Sequence, residues 1–111
     1  MHITKDNINQ FIEGTTMDCS NMYITGIDYI PDHITHLYCD NNKLTELPKL
    51  PDSLINLNCS NNNLTSLPKL PESLGHLYCY NNNLPYKITL KNLKEHNKLI
   101  KRKEILKRIC T

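Results

Sequence analysis

With 111 residues the chain has room for one domain with a modest core. Only 39% of the residues are hydrophobic and tryptophan is absent, so a compact globule would be thinly filled, and no run of about 18 apolar residues exists to cross a membrane as a helix. The net charge of +2 hides a division: residues 1–86 hold four lysines against nine acidic residues, whereas 87–111 hold nine lysines and arginines against Glu95 and Glu104.

The opening stretch, MHITKDNINQFIEG, has no basic segment followed by an apolar run, which argues against a secretory signal. Five cysteines are an odd number, and their spacing does not follow a small disulfide framework. Both points fit a reducing, cytoplasmic setting. Within TKDNINQFIEG the pattern predicts a short helix with Thr4 as N-cap and Gly14 near its end. Ile8, Phe11 and Ile12 would then cover the segment that begins at residue 14, making residues 1–13 an N-terminal cap.

From residue 14 to residue 88 a frame of 20 residues repeats four times. Cys19, Cys39, Cys59 and Cys79 mark it. Met17, Leu37, Leu57 and Leu77 lie two residues before each cysteine, and Ile34, Leu54 and Leu74 lie five before the second, third and fourth. Asn42, Asn62 and Asn82 lie three residues after, with Met22 at that place in the first copy; Ile24, Leu44, Leu64 and Leu84 lie five after. LPKLPDSL or LPKLPESL then closes the unit.

The pattern L-x-x-L-x-C-x-x-N-x-L-x-x-L-P resembles the leucine-rich repeat in its short form. That form is familiar from bacterial effector proteins, and its cysteine-bearing copies in an Asn/Lys-rich chain resemble predicted proteins of giant DNA viruses. The resemblance implies an α/β solenoid: a short parallel β-sheet on the concave face, an extended non-helical convex side and a helical C-terminal cap. Elementary physics agrees, because one strand cannot bury its apolar side alone, while stacked units form a continuous core. Alternation along the strand turns Leu57 and Cys59 inward and Asn56, Asn58 and Ser60 outward. Asn42, Asn62 and Asn82 can both donate and accept, which suits them to satisfy backbone groups of their own and neighbouring units. Pro68 and Pro71 suit an extended return.

After Tyr86 the frame fails, and residues 89–111 read as a basic helical C-terminal cap free of Gly and Pro. Leu90 and Leu93 share one helical face, while Leu99, Leu106, Ile109 and Cys110 share another. The two faces do not line up at 100° per residue, which predicts a bend near His96–Asn97 and two short helices. Lys91, Lys94, Lys98, Lys101, Arg102, Lys103, Lys107 and Arg108 make this segment a candidate surface for nucleic acid or an acidic partner. No aromatic residue is interleaved among them, which argues against single-stranded nucleic acid.

Four thiols in a row do not converge on a tetrahedral point, so Cys19, Cys39, Cys59 and Cys79 read as structural packing residues. His36 and His76 fall at the same strand position two units apart, roughly 10 Å, too far to share a metal ion. Neither a phosphate loop nor a nucleophile motif is present. The ubiquitin-ligase domain of some similar effectors needs far more chain than follows Ile88. The expectation is therefore no metal, no cofactor and no enzyme. The outward strand positions carry the functional reading: His36, Tyr38, Asp40, Asn58, His76, Tyr78 and Tyr80 present aromatic and polar groups of the kind enriched at binding hot spots. They point to a small intracellular adaptor for a protein partner, in a host cytoplasm if the resemblance to effectors or viral proteins extends that far. Nucleic-acid binding by the basic segment is the runner-up, no membrane association is expected, and the state is a monomer or an edge-paired homodimer.

Overall fold

The computed structural model describes residues 1–110, with the side chain of Cys110 outside the described part. Short strands recur at the period of the sequence: β1 (His2–Ile3), β2 (Ile12–Glu13), β3 (Thr16–Asp18), β4 (Gly26–Ile27), β5 (His36–Tyr38), β6 (Asn56–Asn58) and β7 (His76–Tyr78). An α-helix, α1 (Leu93–Cys110), comes after them. The main sheet runs β2-β3-β5-β6-β7 and is parallel except for the β2–β3 hairpin, while β1 and β4 form a separate parallel pair. The fold is thus a small mixed α/β arrangement of mostly parallel short strands with a C-terminal helix.

Register follows the 20-residue frame. Met17 lies beside Leu37, Leu37 beside Leu57, and Leu57 beside Leu77. Like therefore stacks on like, and the inward columns fuse into one core. Met17, Leu37 and Leu57, Cys19, Cys39 and Cys59, and Ile24, Leu44 and Leu64 are all fully buried. Each buried leucine contributes about 1.5–3 kcal/mol over leaving it in water. Between strands the chain returns in extended segments punctuated by tight turns, in which the carbonyls of Pro31, Pro51 and Pro71 accept the N–H of Ile34, Leu54 and Leu74 at 3.2 Å.

The N-terminal segment covers the first unit, but not as the expected α-helix. Only Ile8–Phe11 turns, as a 3-10 helix, and Ile12–Glu13 is drawn into the hairpin with β3. Gly14 sits in the two-residue turn at φ 62°, a conformation glycine adopts without a Cβ clash. The hairpin wins because it satisfies the backbone groups at this edge of the sheet. Asn7 completes the cap by donating to the His2 carbonyl at 3.0 Å and accepting the Thr4 N–H at 2.8 Å. Ile8 and Phe11 are buried as expected, and Ile12 packs half-buried against the core.

The predicted bend at His96–Asn97 does not occur, since α1 is one continuous helix of 18 residues. Leu93 and His96 are buried beneath it. The mismatch of the two apolar faces is resolved by leaving the second uncovered: Leu99, Leu106 and Ile109 are 40%, 52% and 74% exposed.

Candidate functional site on the exposed face of the sheet

The strand register arranges the outward side chains in columns. Thr16, His36, Asn56 and His76 form one, and Asp18, Tyr38, Asn58 and Tyr78 another. Within a column neighbours are about 4.8 Å apart. Asn56 stands between His36 and His76, so the two histidines are two strands apart. His36 and Tyr38 meet as tilted rings with centroids 6.4 Å apart, and the Thr35 hydroxyl fixes His36 through Nδ1 at 2.9 Å.

Exposure rises from β5 and β6 to β7. Tyr38 and Asn58 are half-buried, whereas Tyr78 and Tyr80 are 47% and 58% exposed. Asp40 is half-buried, and its Oδ2 accepts from Asn41 Nδ2 at 3.0 Å. Asn58 Oδ1 accepts the N–H of Ser60 at 3.2 Å. Ser60 itself is not outward: it is fully buried, and its Oγ has no hydrogen-bond partner among the described residues. Strand alternation ends with Asn58, and by Ser60 the chain has begun the turn through Asn61 at φ 55°.

Beneath this face the asparagine column holds the units together. Asn42 Oδ1 accepts the N–H groups of Met22 and Ile24 at 3.1 and 2.8 Å, while Nδ2 donates to the carbonyls of Cys19 and Cys39 at 2.9 and 3.0 Å. One and two units on, Asn62 and Asn82 donate to the corresponding pairs of cysteine carbonyls, and their Oδ1 atoms accept the N–H of Leu44 and of Leu64. The residue just before each, Asn41, Asn61 and Asn81, takes a positive φ of 55–57°, a backbone region that asparagine tolerates better than other non-glycine residues. The cysteine column is packed among leucines, and burial pushes the thiols up: Cys19 from 9.0 to about 12, Cys39 and Cys59 well above their ordinary value, and Cys79 upward. A buried thiol held protonated is inert as a nucleophile or metal ligand. Among the described residues no three His, Cys, Asp or Glu side chains gather as a metal-binding group.

Two serines escape a reading of the sequence. Ser53 Oγ donates towards the carbonyls of Asp32 and Ile34 at 2.8 and 2.7 Å, and Ser73 Oγ towards those of Asp52 and Leu54 at 2.8 Å each. They do on the returning side what the asparagines do on the other. Their signal is the recurrence of serine in LPDSL and LPESL.

The basic residues divide around α1. Lys94, Lys98, Lys101 and Arg108 line one groove of about 520 Å³ together with Lys69, opposed by Glu72 and Glu104. Lys91, Arg102, Lys103 and Lys107 are exposed but do not line that groove. Lys98 also approaches Glu95 at 3.8 Å, an exposed pair worth little. The helix is fastened by two polar residues. Asn97 accepts from the N–H of Leu70 and donates to its carbonyl, both at 2.8 Å, as a next strand would. His96 spans from Tyr86 Oη, 2.6 Å from Nδ1, to the Pro68 carbonyl, 2.9 Å from Nε2.

In comparisons with known proteins the chain matches no family model, no curated protein and no solved structure. No helix among the described residues is long and apolar enough to cross a membrane.

Proposed function

We propose that this chain is a leucine-rich-repeat solenoid serving as a non-enzymatic protein-interaction module. In this reading the main sheet is the concave wall, and His36, Tyr38, Asp40, Asn58, His76, Tyr78 and Tyr80 meet the partner. The observation that supports it most is the pairing of large exposure with rigid support: Tyr78 and Tyr80 stand 47% and 58% exposed on a unit anchored by Asn82. A tyrosine has few rotatable bonds to freeze, so a fixed one contributes contact area at low entropic cost. The free cysteines fit a protein acting in a reducing cytoplasm, that of a host if the effector-like or virus-like resemblance holds.

Replacing Tyr78 and Tyr80 by alanine is expected to abolish partner capture from a host lysate while leaving the thermal midpoint within a few degrees. Unchanged capture removes these residues from the site. The second reading, binding of nucleic acid or an acidic surface by the basic segment, draws on the convergence of Lys69, Lys94, Lys98, Lys101 and Arg108 on one groove. It requires binding that falls steeply with salt and fails with Lys94→Glu/Lys101→Glu.

A further inference from the structure

The two ends of the main sheet are closed differently. At one end β2 covers β3 as an antiparallel neighbour. At the other, among the described residues, no strand lies beyond β7. The inward residues record the difference: Leu77, Cys79 and Leu84 are only half-buried, whereas their counterparts Leu57, Cys59 and Leu64 are fully buried. The polar anchors of α1 reach back to Pro68 and Leu70 in the preceding unit, while at this end buried Ile88 accepts from the Cys79 thiol through its carbonyl at 3.5 Å.

The earlier units show what a further strand would have to offer. The N–H of Cys19, Cys39 and Cys59 donates to the next unit at Tyr38, Asn58 and Tyr78, at 2.8–2.9 Å. The N–H of Asn41 and Asn61 donates to Ser60 and Tyr80 at 2.9 Å, and the carbonyls of Thr35 and Ile55 receive two N–H groups each from the following unit. In the last unit the same groups are the N–H of Cys79, the N–H of Asn81 and the carbonyl of Gly75, with no following unit to meet. Cys79 and Asn81 line a groove of about 640 Å³ that the segment from Tyr86 to Lys91 also lines. Its lining is apolar and aromatic apart from the amides of Asn81 and Asn82, the Thr89 hydroxyl, the tyrosine hydroxyls and the side chains of Lys87 and Lys91. The volume lies within the range of ligand clefts.

We infer that this open end is a second docking site, separate from the face of the sheet. Its occupant is an extended, acid-flanked peptide strand of a partner, added parallel to β7. The peptide supplies two carbonyls two residues apart to Cys79 and Asn81, directs an apolar residue onto Leu77 and a small one beside Cys79, and carries carboxylates to Lys87 and Lys91. Strand addition draws affinity from main-chain hydrogen bonds and specificity from alternate side chains. A second copy of the chain fits worse, since pairing β7 with β7 would bring two strongly basic segments to one junction.

The test uses a synthetic peptide copying residues 35–40, with serine in place of the cysteine and two glutamates appended, against the same peptide ending in two lysines. At low salt the acidic peptide is expected to bind at least about tenfold more tightly and to shift the amide resonances of Cys79 and Asn81. Lys87→Glu/Lys91→Glu inverts the preference, and Lys43→Glu, at an exposed lysine outside the groove, leaves it unchanged. Equal binding of the two peptides, or unmoved Cys79 and Asn81 amides, overturns the proposal. So does sedimentation showing that the protein alone dimerises with shifts at those same amides.

Discussion

Asn62 donates through Nδ2 to the carbonyl of Cys39, 23 residues earlier, at 3.0 Å. Its Oδ1 meanwhile takes the N–H of Leu44 at 3.0 Å. One buried amide thereby joins two units at once. The carbonyls it serves have second donors, since Asn42 also donates to Cys39 and Asn82 to Cys59. The Leu44 N–H is bonded by Asn62, a group at the same unit junction but with no such reserve.

Asn62→Ala therefore loses chiefly one buried N–H partner and some packing, for a cost of about 2–3 kcal/mol. Asn63→Ala, at an exposed neighbour, is expected to stay within about 0.5 kcal/mol. Urea unfolding of the two variants measures the difference. Equal losses would mean that the asparagine column does not hold the units together.

The thiols make stability sensitive to alkali. Burial, with smaller contributions from Asp18 and Asp40, raises Cys19 from 9.0 to about 12. A thiol raised on folding favours the folded state fully while the unfolded thiol is also protonated, and that contribution declines as pH climbs from about 9 towards 12. Over this window the decline approaches about 1.4 kcal/mol per pH unit for each such thiol. The urea midpoint is expected to fall between pH 8 and pH 10.5, and Cys19→Ala to flatten the fall. A parallel pH profile in the variant would show that the Cys19 thiol is not its cause.

Much of this fold is legible because its determinants are local and repeated. The spacing of Leu57, Cys59 and Asn62 sets strand, inward face and turn without reference to distant residues. Legibility stops where partners are far apart in sequence. Nothing in the spacing of Asn97 announces that its amide will bond both backbone groups of Leu70, 27 residues away. Reading His96–Asn97 as a break thus mistakes the helix's anchors for its weakness. Ser60 reads as outward for a related reason: alternation is carried past the last residue of β6. The exposed face itself, with Tyr38 beside Asn58 and Asn58 beside Tyr78, is set directly by the period.

The same anchors predict how α1 comes loose. Asn97→Ala removes both bonds to Leu70, at about 1–2 kcal/mol in all. Tyr86→Phe removes only the hydroxyl facing His96, at roughly 1 kcal/mol. Amide exchange in α1 is expected to rise in both variants, more for Asn97→Ala, while the amides of Leu37 and Leu57 stay protected. Exchange unchanged in Asn97→Ala would place the docking of α1 in Leu93 and its apolar contacts alone.

Met22 supplies the control for the asparagine column. It occupies the first copy of that column and is 43% exposed, whereas Asn42 and Asn62 are 6% and 7% exposed. An asparagine there would have no preceding unit whose N–H it could accept, as Asn42 accepts those of Met22 and Ile24. If the column stabilises by bridging units, Met22→Asn restores the repeat yet is expected to change stability by less than about 0.5 kcal/mol. If asparagine instead acts by favouring the local turn, the substitution stabilises the first unit and raises the thermal midpoint by several degrees. The two accounts diverge at this one residue, and a thermal melt separates them.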